Sequence, residues 1–372
     1  MKKAYYSLGL MSGTSGDGVD ASIIRSDGDE EYEVILNKYF KYSSKIFENI
    51  HSLKEKINSS KDLKVLFKEI TYLEKKITLF HVKVADEIMK ETLVNVNFIG
   101  FHGQTIFHNA KEKISKQLGD GKLLSKLVKK IVVYNFREND LNHGGEGAPL
   151  SPIFHKLLVI KHKISLPVCI LNIGGIANIT AISSHKAKDF ISYDIGPGNC
   201  LIDEWIRIKT KKKYDDKGQI AKIGKISEVI LNQALDNFDN KKNLSLDTKD
   251  FDLNFVRELS LENGAATLTD FTGRIIGSAL SRLFSKANEK LWKVLVCGGG
   301  RKNTTLMNRI KKRTLKNLVI QAIDDYGIDG DFVESQAFAY LAIRSYLKLP
   351  ISFPETTGCS KPCTGGVIVK NF

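Results

Sequence analysis

The chain has 372 residues, of which 42% are hydrophobic, and a formal net charge of +14 at pH 7. This length exceeds what one hydrophobic core usually serves, so we expect two domains, and no stretch approaches the roughly 20 apolar residues of a membrane-spanning helix. The positive charge comes from scattered lysines, without zinc-finger spacing or the aromatic-rich signature of RNA-binding modules. We therefore expect neither a nucleic-acid nor a membrane partner.

An odd number of cysteines spread over a long chain is typical of reduced thiols in a cytoplasmic protein rather than of a disulfide framework. The five are Cys169, Cys200, Cys297, Cys359 and Cys363. The last two form a C-x-x-x-C pair without the second pair that zinc needs, so we interpret them as structural or incidental. The short apolar run after Lys2-Lys3 lacks a convincing cleavage site, which argues against secretion.

The stretch from Leu8 to Ile24 predicts a strand, a tight turn and a second strand. Glycines let such a turn bring backbone N–H groups close to an anion, and Ser12, Thr14 and Ser15 add hydroxyl donors. The turn therefore suits a phosphate group, although a hairpin without a ligand would have the same local pattern.

Further strands and helices follow in alternation. Tyr32–Tyr42 predicts a strand, and two stripes of apolar residues between 46 and 88 predict helices that cover one side of the first sheet. Val96–Phe101 predicts a buried strand that ends at His102-Gly103-Gln104-Thr105. Polar residues at that end of a strand are well placed to face a ligand, but a lone histidine there is often structural.

The first domain is expected to end in a glycine-rich segment. A helix near Leu123–Lys130 leads to the strand Ile131–Tyr134, and Gly144–Leu150 then crosses towards the second half of the chain. We place the N-terminal domain at 1–145, joined by segment 348–372, and the C-terminal domain at 146–347.

The second half repeats the pattern of the first. Val168–Ile182 is again a strand, a glycine-containing turn and a strand. Two hairpins of this kind, one opening each half, suggest a duplicated architecture with a nucleotide between the halves. Phe190–Tyr193 then predicts a strand that delivers Asp194 to a Gly-Pro-Gly turn, where the carboxylate suits a catalytic base or, alternatively, a turn or helix cap.

Three later features bear on the same chemistry. Val294–Cys297 enters Gly298-Gly299-Gly300 before a helix, an arrangement that admits a nucleotide against bare backbone. Glu334 lies in the first turn of the predicted helix Phe332–Leu347, where an acid commonly complements the helix dipole. Gly218–Ile226 resembles a Walker P-loop but has five residues between its glycines instead of four, and Ile226 replaces the magnesium-binding hydroxyl, so we reject it.

These motifs, taken in order over nearly the whole chain, resemble the anhydro-N-acetylmuramic acid kinase family. The residues that carry the resemblance are Met11-Ser12-Gly13-Thr14-Ser15-x-Asp17-Gly18-Val19-Asp20, His102-Gly103-Gln104-Thr105, Phe136-Arg137, Gly144-Gly145-x-Gly147-Ala148-Pro149-Leu150, Asn172-Ile173-Gly174-Gly175-Ile176-Ala177-Asn178, Asp194-x-Gly196-Pro197-Gly198-Asn199 and Cys297-Gly298-Gly299-Gly300. The chain departs from the family at Gly16, usually a larger residue, and in Thr356–Pro362, where Cys359 and Lys361 are substitutions and Lys lacks the planar fork of Arg.

The resemblance implies an α/β chain of two actin-like, ribonuclease H-like domains of the sugar-kinase type, with ATP in the crevice between them. It also implies a homodimer and the conversion of 1,6-anhydro-N-acetylmuramic acid, water and ATP into N-acetylmuramic acid 6-phosphate and ADP during peptidoglycan recycling. Mg²⁺ is inferred from the use of ATP. Asp194 matches the catalytic base, and Mg²⁺ is expected near Asp17 and Asp194. The sugar is assigned to His102, Gln104, Arg137 and Glu334. The nucleotide is assigned to Gly13, Thr14, Ser15, Gly16, Asp17, Gly18, Val19, Asp20, Asn172, Gly174, Gly175, Gly298, Gly299 and Gly300.

Two other functions are compatible with these residues. A kinase of the same fold could act on another sugar, with Asp194 deprotonating a hydroxyl group instead of water. A nucleotide or sugar sensor on this fold would bind without turnover, but it would have no need for a base at the γ-phosphate.

Overall fold

The computed structural model describes residues 2–184, 189–238, 245–284 and 291–372. The chain divides into two compact units: unit 1 consists of residues 1–164 and 331–372, and unit 2 consists of residues 165–330. The strands of unit 1 are β1 Tyr5–Ser12, β2 Gly18–Ser26, β3 Tyr32–Lys41, β4 Phe98–Asn109, β5 Ile114–Leu118, β6 Ile131–Tyr134 and β12 Val367–Val369. Its α-helices are α1 Ser44–Lys56, α2 Ser60–Val65, α3 Phe67–Lys90, α4 Gly121–Val128, α5 Glu138–Asn142, α6 Pro152–Lys161, α12 Val333–Tyr346 and α13 Pro354–Thr357.

The elements of unit 2 alternate in the same way. Its strands are β7 Val168–Ile173, β8 Ile176–Ile182, β9 Phe190–Pro197, β10 Trp292–Cys297 and β11 Leu318–Ala322. Its α-helices are α7 Cys200–Lys209, α8 Gln219–Ile223, α9 Glu228–Asn237, α10 Leu261–Phe284 and α11 Thr304–Arg313.

The two sheets share one strand order. Within the described residues, unit 1 has the order β12-β6-β4-β1-β2-β3, with β5 on β4, and unit 2 has the order β11-β10-β7-β8-β9. In each unit the first three strands are antiparallel neighbours, and the fourth runs parallel to the first. When β5 and β12 of unit 1 are left out, both sheets have the strand order 3-2-1-4-5, which is the ribonuclease H-like topology. The predicted duplication is therefore confirmed.

The sheet of unit 1 separates two helical layers because its side chains alternate between faces. Leu8 and Leu10 of β1 lie in one core cluster with the apolar stripes of α1 and α3. Gly9, between them, faces α12, where an added Cβ would overlap the carbonyl oxygen of Ser335. Gly100 of β4 would likewise overlap the carbonyl oxygen of Phe338. The two glycines therefore let α12 lie directly on the sheet.

Helix α12 runs antiparallel to β1. Its residues Ser335 and Ala339 contact Gly9, whereas Ile343 and Leu347 contact Gly28, which follows β2 at the opposite edge of the sheet. The first turn of α12 therefore lies at the edge where β1 and β4 have their carboxyl ends. This places Glu334 beside the residues that follow those strands.

Some boundaries differ from the sequence predictions. The division falls after 164 and 330, compared with 145 and 347 in the sequence prediction, because α6 and α12 both pack within unit 1. Strand β4 continues through His102–Thr105 to Asn109, since β5 pairs with this extension. Strand β9 likewise includes Asp194, which pairs with Asn178.

Across the described residues, no helix is long and apolar enough to cross a membrane.

Candidate active site

The turn between β1 and β2 is fastened to the rest of unit 1 by its own carbonyl groups. The N–H of Gly16, whose φ is +60°, donates to Gly13 O at 3.1 Å and closes the turn. From α1, Lys54 Nζ donates to Thr14 O at 3.3 Å, and His51 Nε2 lies 3.0 Å from Ser15 O. With these carbonyls engaged, the turn is held in one shape from the side of α1.

Asp17 closes the turn through its side chain. The Ser15 hydroxyl donates to Asp17 Oδ1 at 2.5 Å, and the Tyr39 hydroxyl lies 3.1 Å from Asp17 Oδ2. Beyond it, Val19 is wholly buried in the core of unit 1, so only its backbone can face a ligand. Asp20 is half-buried on β2, in register with Met11.

The side chain of Gln104 forms hydrogen bonds with the same turn. Its side chain is fully buried, its Nε2 donates to Gly13 O at 3.0 Å and to Thr105 O at 3.2 Å, and its Oε1 lies 2.7 Å from Ser12 Oγ. All of these partners belong to the protein. The structure thus places Gln104, assigned to the sugar on sequence grounds, where it braces the turn against β4.

The Arg137 guanidinium donates a hydrogen bond to the neutral ring of His102. His102 Nδ1 lies 2.9 Å from Gly103 O, and its Nε2 lies 2.9 Å from Arg137 Nη2. Because a carbonyl can only accept, Nδ1 carries the proton and Nε2 accepts from the guanidinium. Burial, assisted by Arg137, lowers the pKa of His102 to about 3. The imidazole is therefore neutral and orients Arg137.

A second neutral acceptor holds the other end of the guanidinium. Arg137 Nη1 donates to Gly147 O at 2.8 Å. Glu334 is near enough for the Arg137 charge to oppose the effect of burial, which raises the pKa of that carboxyl group. Unit 1 thus brings His102, Arg137 and Glu334 together at the carboxyl edge of its sheet.

In unit 2 the candidate residues form a row across the sheet. Cys297 pairs with Asn172, Asn172 with Asn178, and Asn178 with Asp194. Register partners project from the same face of a sheet, so the side chains of Asn172, Asn178 and Asp194 face the same way. Asp194 Oδ2 accepts from the N–H of Leu246 at 2.7 Å, which fixes the direction of the carboxylate.

Asn178 was not singled out as a site residue from the sequence. Its Oδ1 is buried and has no hydrogen-bond partner in the described part of the chain. A buried amide oxygen without a partner carries a desolvation cost, which a bound water, cation or hydroxyl group would relieve. Asn178 ends the motif Asn172–Asn178, but only the strand register places it beside Asp194.

The turn Gly174-Gly175 has a structural task as well. Gly174 O accepts from the N–H of Asn199 at 2.8 Å, and Gly175 O accepts from those of Gly198 and Cys200 at 2.9 and 3.1 Å. These donors lead into α7. The carbonyl groups of the turn therefore hold the Gly-Pro-Gly segment that follows β9 and, with it, the end of the strand that carries Asp194.

The three glycines after β10 differ from one another. A Cβ on Gly298 would overlap Asn172 Oδ1, and one on Gly300 would overlap Ile173, whereas one on Gly299 would meet nothing within 4 Å. Arg301, the next residue, donates two hydrogen bonds to Asp324: Nε to Oδ2 at 2.7 Å and Nη2 to Oδ1 at 2.9 Å. Packing thus explains Gly298 and Gly300, and Gly299 is left open for an approaching ligand.

The rejected P-loop resemblance is an ordinary helix start. The backbone N–H groups of Ile220 and Ala221 donate to the carboxylate of Asp215 at 2.8 and 2.9 Å. These are the donors that a P-loop would direct at a phosphate. The segment therefore does not function as one.

The described residues contain no group of three or more His, Cys, Asp or Glu side chains that could hold a metal ion. Mg²⁺ at kinase sites usually retains several waters and is bound by one or two carboxylates together with substrate phosphates. Asp194, and Asn178 Oδ1 beside it, fit that kind of site in unit 2. Asp17 has hydrogen bonds to both carboxylate oxygens, so it fits less directly.

Two ribonuclease H-like units, each with a glycine-containing turn after its first strand, define a member of the actin-like and sugar-kinase class of α/β proteins. The profile of the family described as anhydro-N-acetylmuramic acid kinase matches residues 5–371. The chain belongs to this family.

Two named relatives cover almost the whole chain. An anhydro-N-acetylmuramic acid kinase of Pelagibacter ubique (strain HTCC1062) is 61% identical and covers 100% of both chains. An enzyme of the same name from Zymomonas mobilis is 38% identical and covers 97% of this chain and 98% of its own. Among solved structures, a ROK family glucokinase from Streptomyces griseus in complex with glucose and AMPPNP covers 91% of this chain and 99% of its own, with 11% identity and a TM-score of 0.39. That likeness adds no weight to the fold assignment, which rests on the strand order.

Proposed function

We propose that this chain is an ATP-dependent kinase that opens 1,6-anhydro-N-acetylmuramic acid with water and phosphorylates the oxygen released. The products are N-acetylmuramic acid 6-phosphate and ADP, and the reaction serves peptidoglycan recycling. Family membership over residues 5–371 supports the reaction class. The observation that carries the residue assignment is the row that sets Asp194 beside Asn178 and Asn172 on one face of the sheet in unit 2.

Asp194 is the general base in this proposal. Water is a weak nucleophile unless a positioned carboxylate removes its proton as it attacks. The oxygen of water bonds to the anomeric carbon, the bond from that carbon to the 6-oxygen breaks, and the proton remains on Asp194. The hydrogen bond from Leu246 N to Oδ2 leaves the carboxylate oriented for this task.

The departing 6-oxygen takes the γ-phosphoryl group. Phosphoryl transfer is catalysed mainly by positioning and by neutralising charge, so backbone donors of the glycine turns are suited to hold the nucleotide. We assign ATP to the turn Gly13–Asp20 and to the segments at Asn172–Gly175 and Gly298–Gly300. Mg²⁺ would neutralise phosphate charge when bound, and we assign Asp194 and Asn178 to it through bound water, which leaves the Asp194 carboxylate available as the base; Asp17 is a further carboxylate.

Arg137 and Glu334 are the residues that we expect to contact the sugar directly. Arg137 is held by two neutral acceptors, His102 Nε2 and Gly147 O. His102 and Gln104 have their polar atoms engaged inside unit 1, so both act by fixing their neighbours. We also propose that the protein is a cytoplasmic homodimer, which the family resemblance implies.

The test is ADP release from Mg-ATP with and without 1,6-anhydro-N-acetylmuramic acid. The unchanged chain should release ADP only with the anhydro sugar, and Asp194→Asn should lower kcat about 10²- to 10⁴-fold, the range for loss of a general base. Asp247→Asn, next to Leu246 in unit 2, is the matched control and should retain the rate. Turnover with an ordinary hexose alone would identify another sugar kinase, and binding of both ligands without turnover would identify a sensor.

A further inference from the structure

The glycine-rich segment Gly144–Leu150 and the ending Thr356–Pro362 supply no side chain to the proposed chemistry. Both lie in unit 1, and both converge on Asp140 of α5. Asp140 is 1% exposed. Its Oδ2 accepts from the N–H of Gly147 at 2.7 Å, and its Oδ1 accepts from the hydroxyl of Thr357 at 2.6 Å. A single buried carboxylate therefore ties the two segments together.

Two further contacts fix the same segment. The N–H of Glu146 donates to Thr357 O at 2.9 Å, and the N–H of Gly145 donates to Asp140 O at 2.9 Å. A side chain at Gly145 would overlap Asp140 Oδ2, so the chain wraps closely over the carboxylate only because this residue is glycine. The peptide that contains Gly147 is thus fixed through its N–H.

The same residue, Gly147, holds Arg137 through its carbonyl. Gly147 O accepts from Arg137 Nη1 at 2.8 Å, and Arg137 Nη2 donates to His102 Nε2 at 2.9 Å. The contacts form one continuous path from Thr357 through Asp140 and Gly147 to the guanidinium. Displacement of Gly147 removes one of the two neutral acceptors that orient Arg137.

We propose that Asp140 is a positioning residue for the sugar half of the site: it fixes Gly147 and thereby the direction in which Arg137 is presented to the anhydro sugar. The proposal rests on the proposed function, because it assigns Arg137 to the sugar. Asp140 acts here as a hydrogen-bond acceptor and not through its charge. It has no contact with substrate and takes no proton.

The variant Asp140→Asn separates these two roles. Its amide oxygen can still accept from Gly147 N, while its amide nitrogen donates to Thr357 Oγ1. The Thr357 hydroxyl can then donate to Phe353 O, which lies 3.3 Å away. Asp140→Asn therefore keeps the hydrogen bond to Gly147 and removes the negative charge, whereas Asp140→Ala removes both the hydrogen bond and the charge.

The first experiment measures KM for the anhydro sugar and for ATP. Asp140→Ala should raise KM for the sugar about tenfold or more, the usual consequence of losing a buried hydrogen bond that supports a charged group, with KM for ATP changed less than about threefold. Asp140→Asn should restore the sugar KM to within about threefold of the unchanged chain. If Asp140→Asn is as impaired as Asp140→Ala, the proposal is wrong.

A matched control distinguishes positioning from general loss of stability. Asp27 is another buried carboxylate of unit 1, and its Oδ1 accepts from the N–H groups of Asp29 and Glu31, both at 2.9 Å. Asp27→Ala also releases a fastened loop but leaves Gly147 in place. It should leave the sugar KM unchanged, and an equal rise in Asp27→Ala and Asp140→Ala would overturn the assignment.

The second experiment requires no substrate. The ¹⁵N signals of the His102 ring report whether Nε2 accepts a hydrogen bond, and Asp140→Ala should shift them while Asp140→Asn should not. If the unchanged chain does not turn over the anhydro sugar, the proposed function fails, and these signals alone decide the positioning role. Unchanged signals in Asp140→Ala would overturn it. If Asp140→Ala does not fold, Thr357→Val is the substitute: shifted His102 signals support the path, and unshifted ones contradict it.

Discussion

Glycines near the ends of strands β1 and β10 differ in what a side chain at each position would meet. Gly298 has a φ of +78°, and its Cβ would overlap Asn172. Gly13 and Gly299 have neither constraint, because a Cβ at either would meet nothing within 4 Å and neither has a left-handed φ. The fold does not require glycine at these two positions, so close approach of a ligand is the remaining physical reason for it.

This difference predicts opposite outcomes for alanine substitutions. Gly13→Ala and Gly299→Ala should leave the free energy of unfolding unchanged or raise it by up to about 1 kcal/mol, because alanine restricts the unfolded chain. Both should raise KM for ATP. Gly298→Ala should lower the free energy of unfolding by about 1–3 kcal/mol through strain and overlap. Urea unfolding and initial rates measure the two effects, and normal ATP binding in Gly13→Ala and Gly299→Ala would contradict the assignment.

Sequence patterns identified candidate site residues, but they did not show which contacts each of these residues makes. The sequence predicts Asp194 directly after the strand Phe190–Tyr193, whereas in the structure it lies inside β9, which continues to Pro197. The side chains of His102 and Gln104 form hydrogen bonds with partners that lie up to 92 positions away in the chain. Asn178 gains significance only from the strand register. Partners at such distances leave no local pattern to detect.

At the scale of elements, helix α12 illustrates how closely two elements can pack when glycine removes the side chain between them. Gly9 and Gly100 lie on adjacent parallel strands in register, and each meets a carbonyl oxygen of α12. A methyl group at either position would push the helix away from the sheet. Because Glu334 occupies the first turn of α12, the same displacement would move a candidate sugar ligand.

Gly100→Ala should therefore lower the free energy of unfolding by about 1–3 kcal/mol or more, the range for overpacking a filled core. It should also raise KM for the anhydro sugar, because Glu334 moves with the helix. The comparison variant is Gly13→Ala, which introduces the same methyl group into open space. Equal unfolding free energies for the two variants, measured in urea, would show that α12 does not depend on the glycine contact.

Periodicity found most of the described strands but fewer than half of the described helices, and the 24-residue helix α10 was not predicted. The apolar stripes predicted α1, α3 and α12 to within a few residues, and Ile131–Tyr134 was predicted with its observed bounds. The end of β4 was missed because its extension is stabilised by pairing with β5, which is not visible in local composition. The unit boundary differs from the sequence prediction because the packing of α12 on β1 and β4 is a long-range contact.

For the whole molecule, buried histidines couple stability to pH. Burial lowers the pKa of His81 from its ordinary value near 6.5 to about 4, and those of His102 and His155 to about 3. All three lie in unit 1. The unfolded chain binds a proton on each near pH 6.5, whereas the folded unit does not until much lower pH. The stabilisation is therefore complete above pH 6.5 and is lost as pH falls towards 4.

We expect the free energy of unfolding of unit 1 to fall between pH 7.5 and 5, with each histidine adding up to about 1.4 kcal/mol per pH unit. His81→Phe should reduce the slope by about one proton. Both tryptophans, Trp205 and Trp292, belong to unit 2, so circular dichroism together with tryptophan fluorescence separates the two units. A urea transition of unit 1 with the same midpoint at pH 7.5 and 5 would contradict this expectation.

The division of the chain has a consequence for its synthesis. Unit 2 is one continuous stretch, whereas unit 1 is interrupted after residue 164 and resumes at residue 331. On the ribosome, unit 2 is therefore complete in sequence before α12 and β12 of unit 1 have been made. Until then the α12 face of β1 and β4 remains uncovered, with Gly9 and Gly100 exposed, and Glu334 is absent. A nascent chain thus contains Asp194, the proposed base, long before it contains Glu334, the proposed sugar ligand.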